Sequence, residues 1–256
     1  MQDLKVGIIQ FDQVWQDKKA NYKRVESLIK PHKQIDILLL PEMFHTGFSM
    51  DINQADDWNN SEGLQFLVTV AKKMSCAVYS SIMIKQHAQY YNRGVFVEEN
   101  GTTHIYDKRK TFGLGGEDKF FTRGDKEQIV VYKGWKFNLQ ICYDLRFPEL
   151  IRNRMDSNGQ PAYDVLLNIA NWPQKRIHHW DALLKARAIE NQCYVVACNR
   201  TGLDGNELHY NGQSQAYDLY GQSHFIPSEK EEFIHLSLSW SNLVEARKQL
   251  PFLKDA

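Results

Sequence analysis

The order of strand-like and helix-like segments limits the folds that are open to this chain. Apolar segments typical of buried strands alternate with helix-like segments near both ends, whereas hairpins follow one another in the middle. Near the start, the segments Leu4–Phe11 and Ile35–Leu40 flank a helical pattern at Lys18–Lys30, with Pro31 just beyond its end. In the middle, Glu99-Asn100-Gly101 forms a hairpin turn of the Asn-Gly kind. This order predicts an α/β fold with mixed sheets rather than purely parallel ones.

The remaining elements are predicted from the spacing of apolar residues that is typical of helices or of strands. Further helices are expected at Ser61–Met74, Pro148–Met155 and Lys175–Asn191, and a final one is expected to run to about Arg247. Further strands are expected at Cys76–Ile84, Tyr90–Glu98, Thr103–Tyr106, Val130–Tyr132, Lys136–Cys142, Tyr163–Ile169, Tyr194–Asn199, Ser214–Asp218 and Phe233–Leu238. No repeat or interdomain linker interrupts the sequence, so we expect a single domain over residues 1–256.

The balance of charge argues against two classes of partner. Lys and Arg together number 31, as do Asp and Glu, so the net charge gives no electrostatic case for nucleic acid or an anionic membrane. The chain has no apolar run long enough for a membrane span, and its N-terminus enters a strand without a signal-peptide core. Its cysteines lack the spacing of a zinc site or a disulfide framework, which favours a reducing, cytoplasmic compartment.

Three reactive side chains lie where predicted strands end. Glu42 follows one apolar segment, Lys108 follows another, and Cys142 ends a third. A thiol between a strand and the predicted helix at Pro148–Met155 would lie near the positive end of a helix dipole, which favours the thiolate. A carboxylate, an ammonium and a thiol delivered by separate strands indicate an assembled active site.

Each of these residues also has a purely structural interpretation. A lone cysteine is more often a buried packing residue, as we expect for Cys76, Cys193 and Cys198. Glu42 could be a loop carboxylate at a strand end, and the basic cluster around Lys108 could be solvated surface. The residues alone leave both interpretations open.

Three segments in order resemble a known family. LLLPEMF at 38–44, YDKRKTF at 106–112 and ICYDLRFP at 141–148 are similar to the signature segments of the nitrilase superfamily of carbon–nitrogen hydrolases. The CYDLRFP and ANWP segments look most similar to ω-amidases, which deamidate monoamides of 2-oxo-dicarboxylic acids. The resemblance implies a four-layer α-β-β-α sandwich of two mixed β-sheets, and it implies a homodimer.

The resemblance also implies a role for each catalytic residue. Cys142 would attack an amide carbonyl to form a thioester, and Glu42 would serve as general base. The family pattern selects Lys108, two residues after Tyr106, as the cation that stabilises the oxyanion together with the backbone N–H of Tyr143. The family's second glutamate maps to Glu117, which would position Lys108 and the substrate amide, although a surface carboxylate is the simpler interpretation.

The substrate pocket is expected to combine one cation with several aromatic walls. Arg146 is suited to binding a carboxylate, although a salt bridge with Asp144 or Glu149 explains it equally well. Candidate lining residues are Asn171 and Trp172 after a strand, Phe44, and Phe120 in the long glycine-rich loop at 112–124. Core packing is an equally good explanation for the aromatic residues. Many relatives carry His where Lys110 stands, which leaves a second positive charge near the site.

The predicted function is hydrolysis of the side-chain amide of 2-oxoglutaramate or 2-oxosuccinamate, with no cofactor. His178 and His179 are adjacent on a predicted helix and point apart, so no metal is expected despite Asp181 nearby. The glycines of the loop at 112–124 do not lead from a strand into a helix, as a dinucleotide site requires. Two alternatives stay open: an N-carbamoyl amino-acid hydrolase or another aliphatic amide or nitrile hydrolase, and a non-catalytic interaction module with the same fold.

Overall fold

The structure is a computed structural model that describes residues 1–29 and 34–255. Lys30 and Pro31, at the expected end of the first helix, lie outside the described residues. The helices are α1 (Lys18–Ile29), α2 (Glu62–Met74), α3 (Ile177–Asn191) and α4 (Trp240–Gln249). The strands are β1 (Leu4–Gln10), β2 (Ile37–Leu39), β3 (Asp56–Asp57), β4 (Ala77–Gln86), β5 (Gln89–Val97), β6 (Thr103–Asp107), β7 (Ile129–Tyr132), β8 (Trp135–Ile141), β9 (Val165–Ile169), β10 (Tyr194–Cys198), β11 (Thr201–Leu203), β12 (His209–Asn211), β13 (Gln215–Tyr217) and β14 (Glu232–Leu238).

The first sheet has seven strands and is mixed. Its order is β14-β1-β2-β4-β5-β6, and β3 pairs with β4 away from this path. The pairs β1–β2 and β2–β4 are parallel, because α1 and α2 provide the crossovers that parallel neighbours need. The pairs β4–β5 and β5–β6 are antiparallel, as the hairpin pattern of the sequence predicted.

The second sheet has five strands in the order β13-β10-β9-β8-β7. Its centre is parallel, with β9 paired to both β8 and β10, and both edges are antiparallel. The helix α3 provides the crossover from β9 to β10. A two-stranded hairpin of β11 and β12 lies between β10 and β13 in the sequence.

The two sheets face each other and helices cover their outer faces. One buried apolar cluster contains residues of both sheets, and the Tyr79 hydroxyl of β4 donates to the Gln140 carbonyl of β8 across the interface (3.1 Å). Val25 of α1 and Leu67 of α2 pack on the outer side of the first sheet, while Leu184 of α3 packs with the second. The expected four-layer α-β-β-α sandwich is therefore confirmed. Within the described residues, none of the helices has the length and apolar character that a membrane span requires.

The predicted helix at Pro148–Met155 is wrong. The chain forms a short 3₁₀ helix at Cys142–Arg146 and another at Pro148–Leu150, and then becomes irregular. The Asn153 N–H donates to Asn191 Oδ1 of α3 at 2.8 Å instead of to the carbonyl of a preceding helical turn. The Asn153 side chain also donates to the Tyr163 carbonyl (3.0 Å), so tertiary hydrogen bonds replace the helical ones.

Candidate active site

Three strand ends deliver Glu42, Lys108 and Cys142 to one buried place. Glu42 follows β2 and Lys108 follows β6 in the first sheet, whereas Cys142 follows β8 in the second. Their exposed fractions are 0%, 1% and 9%. Lys108 is thus not part of a solvated basic surface, unlike its half-buried neighbours Arg109 and Lys110. The site lies where the two sheets meet.

The backbone at Cys142 turns sharply as the strand ends. Its φ of 47° falls in the left-handed region, which is rare for a residue with a side chain and typical of strained functional positions. The turn leads into the 3₁₀ helix rather than an α-helix. The α-helix whose dipole was expected to stabilise the thiolate therefore does not form. The thiol lies 3.9 Å from the carbonyl oxygen of Asn171.

The surroundings of Cys142 favour the neutral thiol. Burial raises its pKa well above the ordinary value, and the nearby Glu42 carboxylate raises it further, in part through a hydrogen bond with the thiol. The Lys108 ammonium acts in the opposite direction but does not outweigh them. A thiol held neutral beside a carboxylate can lose its proton to that carboxylate when it attacks an electrophile.

The Glu42 carboxylate is fixed through both of its oxygens. Oε1 accepts from Lys108 Nζ at 2.8 Å and from Asn92 Nδ2 at 2.7 Å, and Oε2 accepts from the Asn171 N–H at 3.0 Å. The Glu42 backbone carbonyl in turn accepts from Asn171 Nδ2 (2.6 Å). Asn171, which we predicted as a substrate-binding residue, is therefore also a structural partner of Glu42.

Lys108 joins Glu42 to Glu117. Its ammonium donates to Glu117 Oε2 at 2.9 Å and Oε1 at 3.1 Å, as well as to Glu42. Burial alone would lower the pKa of Lys108, but the carboxylates of Glu117 and Glu42 outweigh it and raise that pKa above the ordinary lysine value. Lys108 is therefore a cation, and its ammonium contacts three carboxylate oxygens, one of Glu42 and two of Glu117.

Glu117 is buried, so the simpler interpretation as a surface carboxylate is wrong. Its Oε2 accepts from the Phe112 N–H at 2.6 Å and its Oε1 from Asn92 Nδ2 at 3.0 Å. Burial raises the pKa of Glu117, and the charge of Glu42 adds to this, while Lys108 lowers it. The glycine-rich loop at 112–124 thus contributes the Glu117 carboxylate to the site.

Asn92 is a site residue that sequence reasoning missed. It lies inside β5 and donates to both Glu42 and Glu117, which holds the two carboxylates on either side of Lys108. Asn is depleted in strand interiors because its amide is poorly satisfied there. That depletion was the available signal, since Asn92 lies in the interior of the predicted strand Tyr90–Glu98.

A small cleft of ≈ 90 Å³ opens beside the Cys142 thiol. The predicted residues Tyr143, Arg146, Asn171 and Trp172 line it. Tyr143 lies in the first turn of the 3₁₀ helix, where backbone N–H groups have no acceptor within the helix. Further aromatic and apolar lining comes from Phe48, Met50, Phe112, Leu208 and Tyr210.

Phe44 and Phe120 do not line the cleft, and their predicted role as its walls is wrong. Phe44 is fully buried and packs away from the site, with its ring 6.0 Å from Tyr22 of α1 and 5.8 Å from Phe66 of α2. Phe120 is 44% exposed on the outside of its loop. The residue between Glu42 and Phe44, Met43, has a φ of 44°, and this local reversal turns the two side chains to different sides.

Arg146 has no carboxylate partner among the described residues. Its guanidinium lies 4.8 Å from the ring centre of Trp172, and Nη2 lies 3.2 Å from His179 Nδ1. The alternative salt bridges do not form, because Asp144 accepts hydrogen bonds from the Tyr106 hydroxyl and two backbone N–H groups, and Glu149 lies 3.5 Å from Lys110 Nζ. The charge of Arg146 is thus available to a ligand.

The hairpin of β11 and β12 supplies a wall that the sequence did not predict. Asp204, Asn206, Leu208 and Tyr210 line the cleft from this hairpin. The Asp204 carboxylate accepts from the Tyr210 hydroxyl at 2.9 Å and from the N–H groups of Asn206 and Leu208. Its acceptor capacity is therefore largely used within the hairpin.

The described part of the chain contains no group of three or more His, Cys, Asp or Glu side chains arranged to hold a metal ion. The expectation that His178 and His179 point apart is wrong, because their ring centres lie 4.2 Å apart in an edge-to-face contact. Asp181 accepts from the Tyr217 hydroxyl. These residues therefore have partners of their own.

This geometry agrees with the outcome of comparison with known proteins. A model of the carbon–nitrogen hydrolase family matches residues 5–247, which is nearly the whole chain. The chain therefore belongs to the carbon–nitrogen hydrolase family, and the protein is a hydrolase that acts on carbon–nitrogen bonds.

The names of individual relatives are narrower than the name of the family. The chain is 36% identical to an ω-amidase, YafV, of Escherichia coli, over 100% of this chain and 98% of the relative. It is 30% identical to a 2-oxoglutaramate amidase of Bacillus subtilis, over 98% and 96% of the two chains. Among solved structures, a CN-hydrolase superfamily protein of Xanthomonas campestris, XC1258, superposes with a TM-score of 0.97 at 37% identity, covering 100% of this chain and 98% of the other.

Proposed function

We propose that the protein is an ω-amidase that hydrolyses the side-chain amide of 2-oxoglutaramate or 2-oxosuccinamate through a cysteinyl thioester. One observation carries this proposal: a buried cluster of Glu42, Lys108 and Cys142 adjoins a small cleft in which no carboxylate of the described residues pairs with the Arg146 guanidinium. A short acyl chain would reach from the thiol to the guanidinium. The names of the relatives, ω-amidase and 2-oxoglutaramate amidase, support the same substrate class.

The first half of the reaction acylates Cys142. Glu42 accepts the thiol proton as the sulfur attacks the amide carbon, which suits a thiol that is neutral at rest. The carbonyl electron pair moves to oxygen, and the positive charge of Lys108 and the Tyr143 N–H stabilise the oxyanion. When the carbonyl re-forms, the carbon–nitrogen bond breaks and Glu42 gives its proton to the nitrogen, which leaves as ammonia.

The second half hydrolyses the thioester. Glu42 removes a proton from water, and the resulting hydroxide attacks the thioester carbon. Collapse of the second tetrahedral intermediate breaks the carbon–sulfur bond, and the proton held by Glu42 returns to the sulfur. Throughout, Glu117 and Asn92 hold Lys108 and Glu42 in place through their hydrogen bonds.

Arg146 would bind the carboxylate at the far end of the substrate. Its guanidinium is supported by the face of Trp172, which leaves its planar N–H groups for an anion. Asn171 would contact the substrate near the thiol, where its backbone carbonyl already lies. An uncharged amide would leave the guanidinium unpaired in the cleft.

The alternatives differ in substrate or in class. An N-carbamoyl amino-acid hydrolase, or another aliphatic amide or nitrile hydrolase, would use the same Glu42, Lys108 and Cys142. A non-catalytic interaction module would have no use for a thiol held beside a carboxylate at the bottom of a cleft. We favour the ω-amidase because of Arg146 and the relatives.

We also propose that the protein is a homodimer in a reducing cytoplasm. The four cysteines are all free thiols, which is the state that a reducing compartment maintains. Exposed apolar side chains such as Ile189 on α3 offer surface for a second copy.

The test is ammonia release from four amides by the purified protein. 2-Oxoglutaramate is compared with glutamine, N-carbamoyl-β-alanine and a simple aliphatic amide, with the Cys142→Ala protein as the blank for each. Strong preference for 2-oxoglutaramate supports the proposal. Preference for another member would keep the thiol mechanism and replace the substrate. Release of ammonia by the Cys142→Ala protein at the wild-type rate would overturn the mechanism.

A further inference from the structure

A second arginine lines the cleft and is also without an acidic partner. Arg176 belongs to the 3₁₀ helix Gln174–Arg176 that precedes α3, and it lines the same cleft as Arg146. Among the described residues, the Arg176 side chain forms no ion pair, and its guanidinium lies 5.3 Å from the ring centre of Phe112. Two guanidiniums that line one small cleft, neither of them paired with a carboxylate of the described residues, form a site for an anion or an oxygen-rich group.

Both arginines contact Trp172. Arg146 lies over the Trp172 ring, and the Trp172 indole N–H donates to the backbone carbonyl of Arg176 at 2.8 Å. His179 lies in the first turn of α3, and its pKa is lowered by desolvation and by His178, to which the charges of Arg146 and Arg176 add. Trp172 thus supports the Arg146 guanidinium and the backbone that carries Arg176 beside the same cleft.

The acidic group in the cleft does not neutralise this pair. Asp204 is the carboxylate among the lining residues, and three donors of its own hairpin already bind its oxygens. A positively charged substrate group would therefore meet two cations and a carboxylate whose acceptor sites are largely occupied.

We propose that Arg176 is a specificity-determining residue that donates to the 2-oxo oxygen of the substrate while Arg146 binds the adjacent carboxylate. This inference rests on the proposed ω-amidase function. A 2-oxo group accepts a hydrogen bond from a guanidinium, whereas the α-ammonium of an amino acid such as glutamine is repelled by it. Arg176 thus makes the cleft select 2-oxo acid monoamides over the corresponding amino-acid amides.

The size of the effect follows from the interaction that is lost. A hydrogen bond to a charged group typically changes an equilibrium by about 10- to 100-fold. Removal of the Arg176 charge should lower kcat/KM for 2-oxoglutaramate by that factor. It should not lower kcat/KM for glutamine, because the repulsion disappears too.

The experiment measures kcat/KM for 2-oxoglutaramate and glutamine in four proteins: wild type, Arg176→Gln, Arg176→Lys and Arg154→Gln. Arg154 is an exposed arginine outside the cleft, so Arg154→Gln makes the same chemical change at a distance and should retain the wild-type ratio. Arg176→Gln should lower the ratio by about 10- to 100-fold. Arg176→Lys should retain most of it, because the ammonium has the same charge. Thermal melting of each protein checks that it is folded.

The outcomes separate the inference from the function on which it rests. If wild type releases ammonia from 2-oxoglutaramate but Arg176→Gln has an unchanged ratio, the inference is overturned and the ω-amidase function stands. If wild type does not act on 2-oxoglutaramate, both are overturned. If Arg176→Gln and Arg176→Lys lose the same factor for both substrates, Arg176 has only a structural role and the inference is overturned.

Discussion

The Lys108 ammonium lies 2.8 Å from the Glu42 carboxylate at a place where both side chains are fully buried. Glu117 approaches the same ammonium from another side, at 2.9 Å. With all three groups ionised, the cluster carries one surplus negative charge beside the Cys142 thiol. Burial and this surplus charge together keep the Cys142 thiol neutral at rest.

Removal of the cation should destabilise the protein strongly at neutral pH. Lys108→Met leaves two buried carboxylates facing each other, and the loss of one partner from a buried ion pair typically costs about 3–5 kcal/mol. Urea unfolding gives this free energy. The deficit should shrink in mild acid, where the carboxylates can take up protons. Addition of Glu117→Gln should restore part of the stability, and no restoration by the second change would contradict this electrostatic explanation.

Loss of the nucleophile should abolish turnover without loss of the fold. Cys142→Ala should lower ammonia release by at least about 10³-fold, as removal of a nucleophile does in comparable sites. Cys76→Ala is the matched control, because Cys76 is buried under α2 and does not line the cleft. Full activity of the Cys142→Ala protein, or equal losses in both variants, would count against the thioester mechanism.

The resting thiol should react with alkylating reagents only slowly at neutral pH. Burial and Glu42 raise the pKa of Cys142, so the thiolate fraction, and with it the rate of reaction with iodoacetamide, should increase as the pH is raised. The measurement is the alkylation rate against pH, followed by mass spectrometry of the modified peptide. A fast rate that is constant from mildly acidic to alkaline pH would indicate a preformed thiolate instead.

Glu117 should act on the rate rather than on binding. It touches Lys108 but does not line the cleft, so Glu117→Gln should lower kcat by about 10²–10³-fold, the range for a misplaced oxyanion donor, and leave KM nearly unchanged. Asp118→Asn, at the exposed neighbouring carboxylate, is the control and should behave as wild type. An increase in KM with kcat retained would assign Glu117 to substrate binding.

Protonation of Asp144 should stabilise the folded state at acidic pH. Burial raises the pKa of Asp144 from 3.8 to about 6, partly offset by Lys108 and hydrogen bonds. The folded state therefore holds a proton more tightly than the unfolded state, and this contribution is present below the lower value and lost as pH rises through the upper one. At about 1.4 kcal/mol per pKa unit, a shift of about two units is worth on the order of 3 kcal/mol.

The variant Asp144→Asn isolates that contribution. Between the unfolded value of 3.8 and the folded value of about 6, the free energy of unfolding should fall less with rising pH in the variant than in wild type. Asn has fewer acceptor sites than the carboxylate, so the variant loses stability at every pH, but the difference in slope is independent of that loss. Equal slopes would contradict the raised pKa.

The mixed α/β architecture could be predicted from the sequence because the periodicity of apolar residues and the positions of turn residues are local properties. The alternation of strands and helices near both ends and the hairpins in the middle predicted mixed sheets. The four-layer sandwich, which the resemblance to the nitrilase superfamily implied, is confirmed. The predicted helix after Pro148 failed for the opposite reason. Its helical propensity is local, but the bonds that replaced it join Asn153 to Asn191 and Tyr163, which are distant in sequence.

The sequence by itself determined the family, and it predicted that Glu42, Lys108 and Cys142 lie at the ends of three strands. These depend on residue types at fixed positions along the chain. Only the tertiary structure decided that Asn92 bridges the two carboxylates, that Phe44 faces the helices, and that Arg176 shares the cleft with Arg146. The physical reason is that side chains from several loops form the pocket. Packing between the sheets fixes the directions of these side chains, and the local periodicity of a single segment does not.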